Sequence, residues 1–314
     1  MSLVPTSEMT QQPVFSIIVP TYNRPRRLAG FLESLTKLDY RRDAFEVVLV
    51  DDGSEADLEP VAAAFRDRLN IVFIRQSHGG VARGRHVGAV AARGKYLAFT
   101  DDDCMPSASW LARLEEALEA TPGCAAGGHT ENALDGNVFS TASQVLISYL
   151  YERLNSTPQG AIFFTGNNMA MPRELYHKIG GLDVTWPMCG EDRDFCARWR
   201  AEGYPMVYAP DAVIQHAHDL DLRRFWIQHF GYGRGARRFH KTCAQRGDLA
   251  SSRLERFSFY RGLLMAAFRY VRGPRAFLIA LLLALSQAAN AAGFLLEWVR
   301  PSDLAPIWQL EATR

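Results

Sequence analysis

Short apolar runs recur along the first hundred residues, and most of them end at a polar cluster. The runs are continuous rather than alternating, and they occupy Phe15–Pro20, Phe45–Val50, Ile71–Ile74 and Tyr96–Thr100. Continuous runs of this length are typical of strands that are buried on both faces, as in a parallel sheet. The pattern therefore predicts four buried strands in the first third of the chain.

Helix-like segments separate these runs, at Arg26–Lys37, Leu58–Arg68 and Val81–Ala92. Alternation of strands and helices at this spacing predicts βαβ units and a doubly wound, Rossmann-like sheet over residues 14–104. In such sheets ligands bind in the crevice beyond the carboxyl ends of the strands. Side chains that follow the strands are therefore the first candidates for a functional site.

Polar residues follow three of the four predicted strands, at Thr21–Asn23, Asp51–Ser54 and Asp101–Asp103. We expect the three clusters to meet in one crevice, because the strand ends share one edge of the sheet. Three consecutive carboxylates repel one another, and a hard divalent cation such as Mg²⁺ or Mn²⁺ offsets that repulsion directly. The alternative interpretation is a solvated acidic turn, or a cap for a helix near Trp110.

After Asp103 the pattern becomes mixed, and strands and helices no longer alternate regularly. Helices are predicted at Trp110–Ala120, Glu191–Glu202 and Leu222–Lys241, and short strands at Ala161–Phe164, Met169–Met171, Met206–Tyr208 and Val213–Gln215, while residues 255–297 are mainly helical and apolar. The fold class predicted is α/β, with a mixed, mainly parallel central sheet and a C-terminal helical appendage.

The segment Ala276–Leu296 carries no charge and is long enough to cross a bilayer. Ser286, Gln287, Asn290 and several alanines dilute its apolar character, so a buried or bundle helix is the favoured interpretation. A membrane contact from one side and a full span stay open as alternatives.

Composition narrows the functional classes. The 314 residues carry a formal net charge of +1, so no overall field favours nucleic acid, and 48% hydrophobic residues suffice for a full core. The five cysteines form no C-x-x-C pair and their number is odd, which favours a reduced cytoplasmic protein over a disulfide scaffold or a zinc site. Residues 1–13 are polar, lack the pattern of a signal peptide, and are predicted to be a disordered tail.

Common phosphate-binding motifs are not found in the sequence. The glycines of His78–Gly84 do not match G-x-G-x-x-G and follow the third strand instead of the first, and G-x-x-x-x-G-K-[ST] does not occur. Nicotinamide-dependent dehydrogenases and P-loop ATPases are therefore disfavoured.

An ordered set of motifs carries a family resemblance. The motifs are Ser16–Pro25, Val47–Ser54, Gly80–Gly88, Gly94–Pro106, Phe164–Arg173, Gly180–Asp183 and Gly190–Asp194, which together cover roughly residues 15–220. In this set and order the chain resembles the family-2 glycosyltransferases, which have the GT-A fold. The resemblance implies a catalytic domain over 14–220, with a nucleotide-binding half (14–104) and an acceptor half (105–220), followed by a helical region over 221–314.

The resemblance also implies roles for the nucleotide-binding half. Asp52 would hydrogen-bond the base of the nucleotide, Tyr22 would stack near it, and Arg83 would approach the diphosphate, since Arg is the natural partner of such oxygens. The chain departs here from the family's usual Ala-Arg-Asn-x-Gly, because residues 82–88 read ARGRHVG. The assignment therefore stays open between Arg83 and Arg85.

A metal site is implied by the D-x-D spacing of Asp101 and Asp103. On the family pattern Asp103 is the ligand of Mn²⁺ or Mg²⁺, and Asp101 contacts ribose or metal-bound water. Asp102 is a further substrate-binding candidate, because it is also acidic. The resemblance adds His216 as a metal ligand, and His218 is its alternative, since both follow the strand Val213–Gln215.

The catalytic base implied by the resemblance is Asp192, which opens a predicted helix after a glycine. In an inverting transfer the base removes the proton of the acceptor hydroxyl while the anomeric carbon is attacked from the opposite face. Asp194 would point away from Asp192 on a helix, and a helix-capping cluster without chemistry is the alternative. The remaining substrate-binding candidates are Pro20, Gly166, Asn167 and Glu191.

The function predicted is inverting transfer of a sugar from a UDP-, GDP- or dTDP-linked donor to an acceptor hydroxyl of a glycan, lipid-linked or polysaccharide precursor of the cell envelope. Alternatives are a sugar-nucleotide nucleotidyltransferase and a non-catalytic nucleotide-sugar binding protein. The basic, aromatic segment Arg223–Lys241 would meet a phosphate, meet membrane headgroups, or present a solvated face. We expect a cytoplasmic location, at the inner face of the membrane if the C-terminal helices contact it.

Overall fold

An eight-stranded mixed sheet forms the centre of the computed structural model, which describes residues 12–156, 160–186, 189–248 and 255–301. The strands are β1 (Phe15–Thr21), β2 (Phe45–Asp51), β3 (Ile71–Arg75), β4 (Tyr96–Phe99), β5 (Cys104–Pro106), β6 (Ala125–Asn132), β7 (Met169–Pro172) and β8 (Met206–His216). The helices are α1 (Pro25–Leu35), α2 (Glu59–Ala63), α3 (Val81–Ala91), α4 (Trp110–Ala120), α5 (Val138–Asn155), α6 (Arg173–Lys178), α7 (Glu191–Ala201), α8 (Leu222–Gln245), α9 (Phe257–Tyr270) and α10 (Arg275–Val299).

The order of the strands is β3-β2-β1-β4-β7-β6-β8-β5. The first four strands of the chain pair in parallel, as their continuous apolar runs predict, and β1 and β2 are buried over their whole length. In the other half β7 pairs antiparallel with β4 and β6, while β8 is parallel to β6 and antiparallel to β5. The predicted α/β class with a mixed sheet is therefore confirmed.

Alternate side chains of β1 face two apolar cores, one on each side of the sheet. Ile17 packs in the core that includes Leu28 and Phe31 of α1, whereas Ile18 packs in the core that includes Ala89 of α3. Helix α3 lies close to the sheet at Gly88, where a Cβ would come within 2.5 Å of Ile18 Cγ2. This close approach holds the start of α3 near the carboxyl ends of β1 and β2.

Several elements differ from the sequence predictions. Ala161–Phe164 forms no strand, α2 is shorter than the predicted helix, and the two predicted strands after Met206 are halves of the single strand β8. Strand β6 is not evident from the sequence pattern, because its glycines and polar residues have low strand propensity, and pairing with β7 and β8 stabilises it. Helix α5 was also not predicted; it begins where the Asn137 side chain accepts hydrogen bonds from the amides of Phe139 and Ser140.

The C-terminal helices pack against one another and against α5. Gly233 of α8 lies against the backbone of Asn290, and Gly293 of α10 lies against the backbone of Phe230, so the two helices approach closely. Within the described chain, α10 is the one helix that is long and apolar enough to cross a membrane, by length and composition alone. A third of its most apolar stretch is buried against the rest of the protein. Of the predicted N-terminal tail, residues 1–11 lie outside the described residues, and Pro13 is buried.

Candidate active site

The ends of β1, β2, β4 and β8 open on one cavity of about 1010 Å³. With the exception of Arg83, every residue predicted for the site lines it: Pro20, Tyr22, Asp52, Asp101, Asp102, Asp103, Gly166, Asn167, Glu191, Asp192 and His216. The expectation that polar strand ends share one crevice is met.

The three consecutive aspartates have different sets of partners, although Arg24 Nη1 contacts both Asp102 at 3.0 Å and Asp103 at 3.2 Å. Asp101 accepts a hydrogen bond from Arg85 Nη2 at 2.6 Å, and Asp102 accepts one from the Thr21 hydroxyl at 2.7 Å. Asp103 faces two arginines of the first helix and His216. Burial raises the pKa of Asp102 to about 6, against the opposing effect of Arg24. In Asp103 burial acts in the same direction, but the hydrogen bond with His216 and the nearby positive charges lower its pKa to about 2.

The pairing of β5 with β8 brings Asp103 to His216. Residue Cys104 lies opposite His216 in this pair, and the amide of Ala217 donates to the carbonyl oxygen of Asp103 at 2.8 Å. The imidazole Nε2 of His216 is 3.3 Å from Oδ1 of Asp103. A carboxylate oxygen and an imidazole nitrogen at this separation fit a shared Mg²⁺ or Mn²⁺.

Two neighbours of this pair are weaker candidates for ligands. The Cys104 thiol lies within 4.8 Å of the Asp103 and His216 donor atoms, but burial raises its pKa well above the ordinary value, so it stays protonated. His218 stacks on His216 with ring centroids 4.9 Å apart, and burial lowers its pKa to about 4. The structure therefore places the His216 imidazole on Asp103 and the neutral His218 ring beside it.

Two arginines that the sequence analysis did not single out balance the charge of Asp103. Nη1 of Arg24 lies 3.2 Å from Oδ2 of Asp103, and Nη1 of Arg27 lies 3.0 Å from the same oxygen. Both residues belong to the start of α1, where Pro25 occupies the first turn. A basic first turn directly after β1 was the signal that could have identified them.

Arg83 and Arg85, between which the sequence left the assignment open, lie in different positions relative to the cavity. Arg83 is exposed and lies outside the cavity lining, whereas the buried Arg85 joins Asp101 to Glu191, with Nη1 3.0 Å from Oε1 of Glu191. The two residues are about 200° apart around a helix of 3.6 residues per turn, so they face opposite ways.

Asp192 is held at the start of α7. Its carboxylate accepts hydrogen bonds from the amides of Gly166 at 3.2 Å and Arg193 at 2.7 Å. Burial raises the pKa of Asp192, and Arg85 opposes this shift. Asp194 points away from the cavity, to Arg198 and Arg246 at 2.9 and 2.8 Å, as the helical spacing predicted.

The far end of the cavity lies between β1 and the loop that follows β3. The Tyr22 ring is 41% exposed and contacts the His78 ring at 4.4 Å. The Asp52 carboxylate is buried and accepts hydrogen bonds from the amides of Gly79 at 2.9 Å and Gly80 at 2.8 Å. Asp52 thus fixes the loop that leads into α3, the helix that carries Arg85.

Comparison with known sequences identifies related proteins. The glycosyltransferase AglE of Haloferax volcanii is 26% identical over 215 residues, which are 65% of this chain and 67% of that protein. The chondroitin synthase of Escherichia coli is 27% identical over 238 residues, 64% of this chain but only 34% of the longer enzyme.

Solved structures share the fold. The mannosyltransferase PcManGT from Pyrobaculum calidifontis, in complex with GDP-Man and Mn²⁺, has a TM-score of 0.66 at 20% identity, over 93% of this chain and 89% of that one. Staphylococcus aureus TarS 1-349 in complex with UDP-GlcNAc has a TM-score of 0.54 at 17% identity, over 89% of both chains. The family model described as "Glycosyl transferase family 2" matches residues 16–180, more than half of the chain. This protein therefore belongs to glycosyl transferase family 2 and has its GT-A fold.

Proposed function

We propose that the protein is an inverting glycosyltransferase that moves a sugar from a nucleoside-diphosphate donor to an acceptor hydroxyl. The observation that carries this proposal is that the Asp103–His216 pair and the Asp192 carboxylate open on the same cavity. A metal-ligand pair at one position and a potential base at another are the two groups that a direct displacement requires.

Asp103 and His216 would hold the metal, Mn²⁺ or Mg²⁺. When bound, such an ion neutralises the charge that develops on a departing diphosphate. Arg24 and Arg27 already place two cations at this position, 3.2 and 3.0 Å from the Asp103 carboxylate. These arginines would also bind diphosphate oxygens once the ion satisfies Asp103.

The donor nucleotide would lie between Tyr22 and Asp52, with its ribose near Asp101. Tyr22 offers an exposed aromatic face for the base, and a carboxylate at Asp52 suits the imide N–H of a uracil or thymine. PcManGT binds GDP-Man and TarS binds UDP-GlcNAc, so UDP, GDP and dTDP are the donors to test. Arg85, in place of Arg83, would orient Asp101 toward the sugar ring.

Asp192 would take the proton of the acceptor hydroxyl. Its raised pKa suits a base, because a more basic carboxylate accepts a proton more readily. The amide of Gly166 holds the carboxylate in place, next to the candidate sugar-binding residues Gly166 and Asn167. The bond from the anomeric carbon to the diphosphate breaks as the bond to the acceptor oxygen forms on the opposite face.

A screen of UDP, GDP and dTDP by thermal shift, with and without Mn²⁺, tests donor binding, because a ligand bound only by the native state raises its melting temperature. Incubation with the stabilising nucleotide's sugar conjugate then separates the candidate activities. Release of nucleoside diphosphate with inverted product supports the proposal. Formation of a nucleotide sugar from sugar phosphate would indicate a nucleotidyltransferase, and binding without turnover would indicate a binding protein.

An anionic lipid surface is the partner we propose for the outer face of α10, with a cytoplasmic location at the membrane. An apolar stripe spaced by three or four residues runs along this face and comprises Phe277, Leu281, Ala284, Ala288, Ala291, Leu295 and Trp298. Its four large side chains are 53–70% exposed. Arginines flank the stripe in the sequence at both ends of α10, at Arg272, Arg275 and Arg300. An apolar face with basic residues at its edges is typical of helices that lie in a membrane interface.

A further inference from the structure

The cavity continues from Asp192 into an apolar chamber between α5, α9 and α10. The chamber is lined by Leu146, Ile147, Leu150, Leu154, Phe163, Phe259, Tyr260, Phe294 and Leu295. This lining would bury an apolar chain, and the polar residues of the same helices that line the cavity include Gln144, Gln287 and Asn290. At about 1010 Å³ in total, the cavity is at the upper end of the range for small-molecule sites and has room for a second ligand beside the donor.

A short segment connects the chamber to the proposed base. Phe163 contributes to the chamber wall, and three residues later the amide of Gly166 donates to the Asp192 carboxylate. Tyr151 of α5 donates to or accepts from the hydroxyl of Thr165 at 2.9 Å, which ties this segment to the helix that forms the chamber. A molecule in the chamber therefore has one end beside Asp192.

Helix α8 presents an uncharged face to the cavity although it is rich in arginine. The cavity-facing residues are Gln228, Tyr232, Gly235, Ala236 and His240. Arg234 instead pairs with Glu297 at 2.8 Å, and Arg238 donates to the Thr185 hydroxyl at 2.8 Å. The basic segment thus meets protein groups at these positions and brings no arginine into the cavity wall.

One arginine, Arg193, lies where the chamber meets the proposed base, Asp192. Arg193 follows Asp192 and lines the cavity, and its guanidinium lies over the Phe239 ring at 4.3 Å. No residue in the described ranges accepts a hydrogen bond from this guanidinium. Glu255, the acid at the chamber rim, lies 3.7 Å from Arg153. Five donors in a largely apolar wall suit an anionic group such as a phosphate.

The chamber also reaches the protein surface at the apolar stripe. Leu295 lines the chamber and is 53% exposed, and Tyr260 lines it and is 38% exposed. The chamber therefore opens to the surface beside the exposed face of α10.

We propose that the acceptor is an amphiphile whose apolar chain occupies the chamber and whose anionic head contacts Arg193. This proposal rests on the proposed glycosyl transfer. The head carries the hydroxyl that reacts. Its oxygen forms the bond to the anomeric carbon, its proton passes to Asp192, and the nucleoside diphosphate leaves with the bonding electrons. The lipid surface proposed to bind the outer face of α10 would then also supply the acceptor.

The test measures binding of dodecyl phosphate, below its micelle concentration, to the full chain by calorimetry. Ala291→Trp fills the chamber and Leu150→Asn makes its wall polar, and each is expected to weaken binding at least tenfold. Ala284→Trp is the matched control, because Ala284 lies one heptad earlier on the same stripe but outside the cavity lining. Arg193→Gln is expected to remove the preference for dodecyl phosphate over decanol. Circular dichroism melts of each variant verify folding.

Equal affinity of all variants for dodecyl phosphate, or its displacement by maltotetraose at similar concentration, would overturn the proposal. Binding of Mn²⁺ with UDP or GDP is measured on the same samples. If the nucleotide binds and dodecyl phosphate does not, the amphiphile is wrong and glycosyl transfer stands. If no nucleotide binds, the proposed function itself fails.

Discussion

Asp103 and His216 lie more than a hundred residues apart in the chain, yet Oδ1 of one is 3.3 Å from Nε2 of the other. The antiparallel pairing of β5 with β8 sets this distance, because it aligns Cys104 with His216. Arg24 and Arg27 complete the charge balance from α1. The fold thus brings side chains from three separate parts of the chain to one point.

Asp103→Asn and His216→Gln are each expected to weaken Mn²⁺-dependent nucleotide binding by at least tenfold, since each removes one proposed ligand. Cys104→Ala is the control, because a protonated thiol contributes little to a hard cation. Calorimetry with Mn²⁺ and the preferred nucleotide measures all three. A Cys104→Ala loss as large as the others would place the thiol among the ligands.

Asp192→Asn is expected to lower kcat by about 10²–10⁴-fold and to leave nucleotide affinity unchanged, because the change removes a base and little volume. Asp194→Asn should act differently. Asp194 is fully buried between Arg198 and Arg246, so its loss leaves buried cations unpaired and lowers the melting temperature. Steady-state kinetics and melting curves separate the two effects, and near-normal turnover of Asp192→Asn would exclude it as the base.

The pH dependence follows from the raised pKa of Asp192. Its base form is lost at a higher pH than for an ordinary carboxyl, so on acidification kcat should begin to fall earlier than it would for a base with an unshifted pKa. Because the folded-state pKa exceeds the unfolded one, the protonated group stabilises the fold at low pH and this contribution is lost as pH rises through the folded pKa. Asp192→Asn should therefore gain stability over the wild type at alkaline pH, as melting curves across pH would reveal.

Arg85→Gln is expected to reduce donor binding and stability together, because it leaves Asp101 and Glu191 without their shared cation. Arg83→Gln is the matched change on the same helix and should be within about 0.5 kcal/mol of the wild type, as for most exposed positions. Denaturation and nucleotide titration compare them. If Arg83→Gln alone weakens nucleotide binding, the assignment to Arg85 is incorrect.

Leu281→Glu and Trp298→Glu should reduce flotation of the full chain with vesicles that contain anionic lipid, because each places a charge on the apolar stripe. Val90→Glu on α3 is the control, since Val90 is 61% exposed but distant from the stripe in the sequence. Binding should also weaken at high salt, because the arginines at the ends of α10 would contribute electrostatically. Equal flotation of all four proteins would exclude the lipid surface.

Much of the fold could be predicted from local pattern. The runs at β1, β2 and β4 are buried over their whole length, and their continuous apolar character predicts a parallel sheet. The run at β3 also pairs in parallel, but it is half-buried because β3 is the edge strand. The polar strand ends then predict a common crevice. Strand β6 could not be predicted this way, because its residues form a strand only through their partners in β7 and β8.

The amino-acid sequence by itself determined the parallel half of the sheet, the acidic strand ends and the family. Tertiary structure alone decided where similar neighbours lie: Arg85 in the cavity wall and Arg83 outside it, and His216 rather than His218 beside Asp103. Arg83 and Arg85 are the same residue type two positions apart, and so are His216 and His218. Sequence pattern alone therefore does not distinguish the members of a pair, whereas the direction of each side chain in the fold does. The apolar chamber arises in the same way, because α5, α9 and α10 are distant in sequence and meet only when packed.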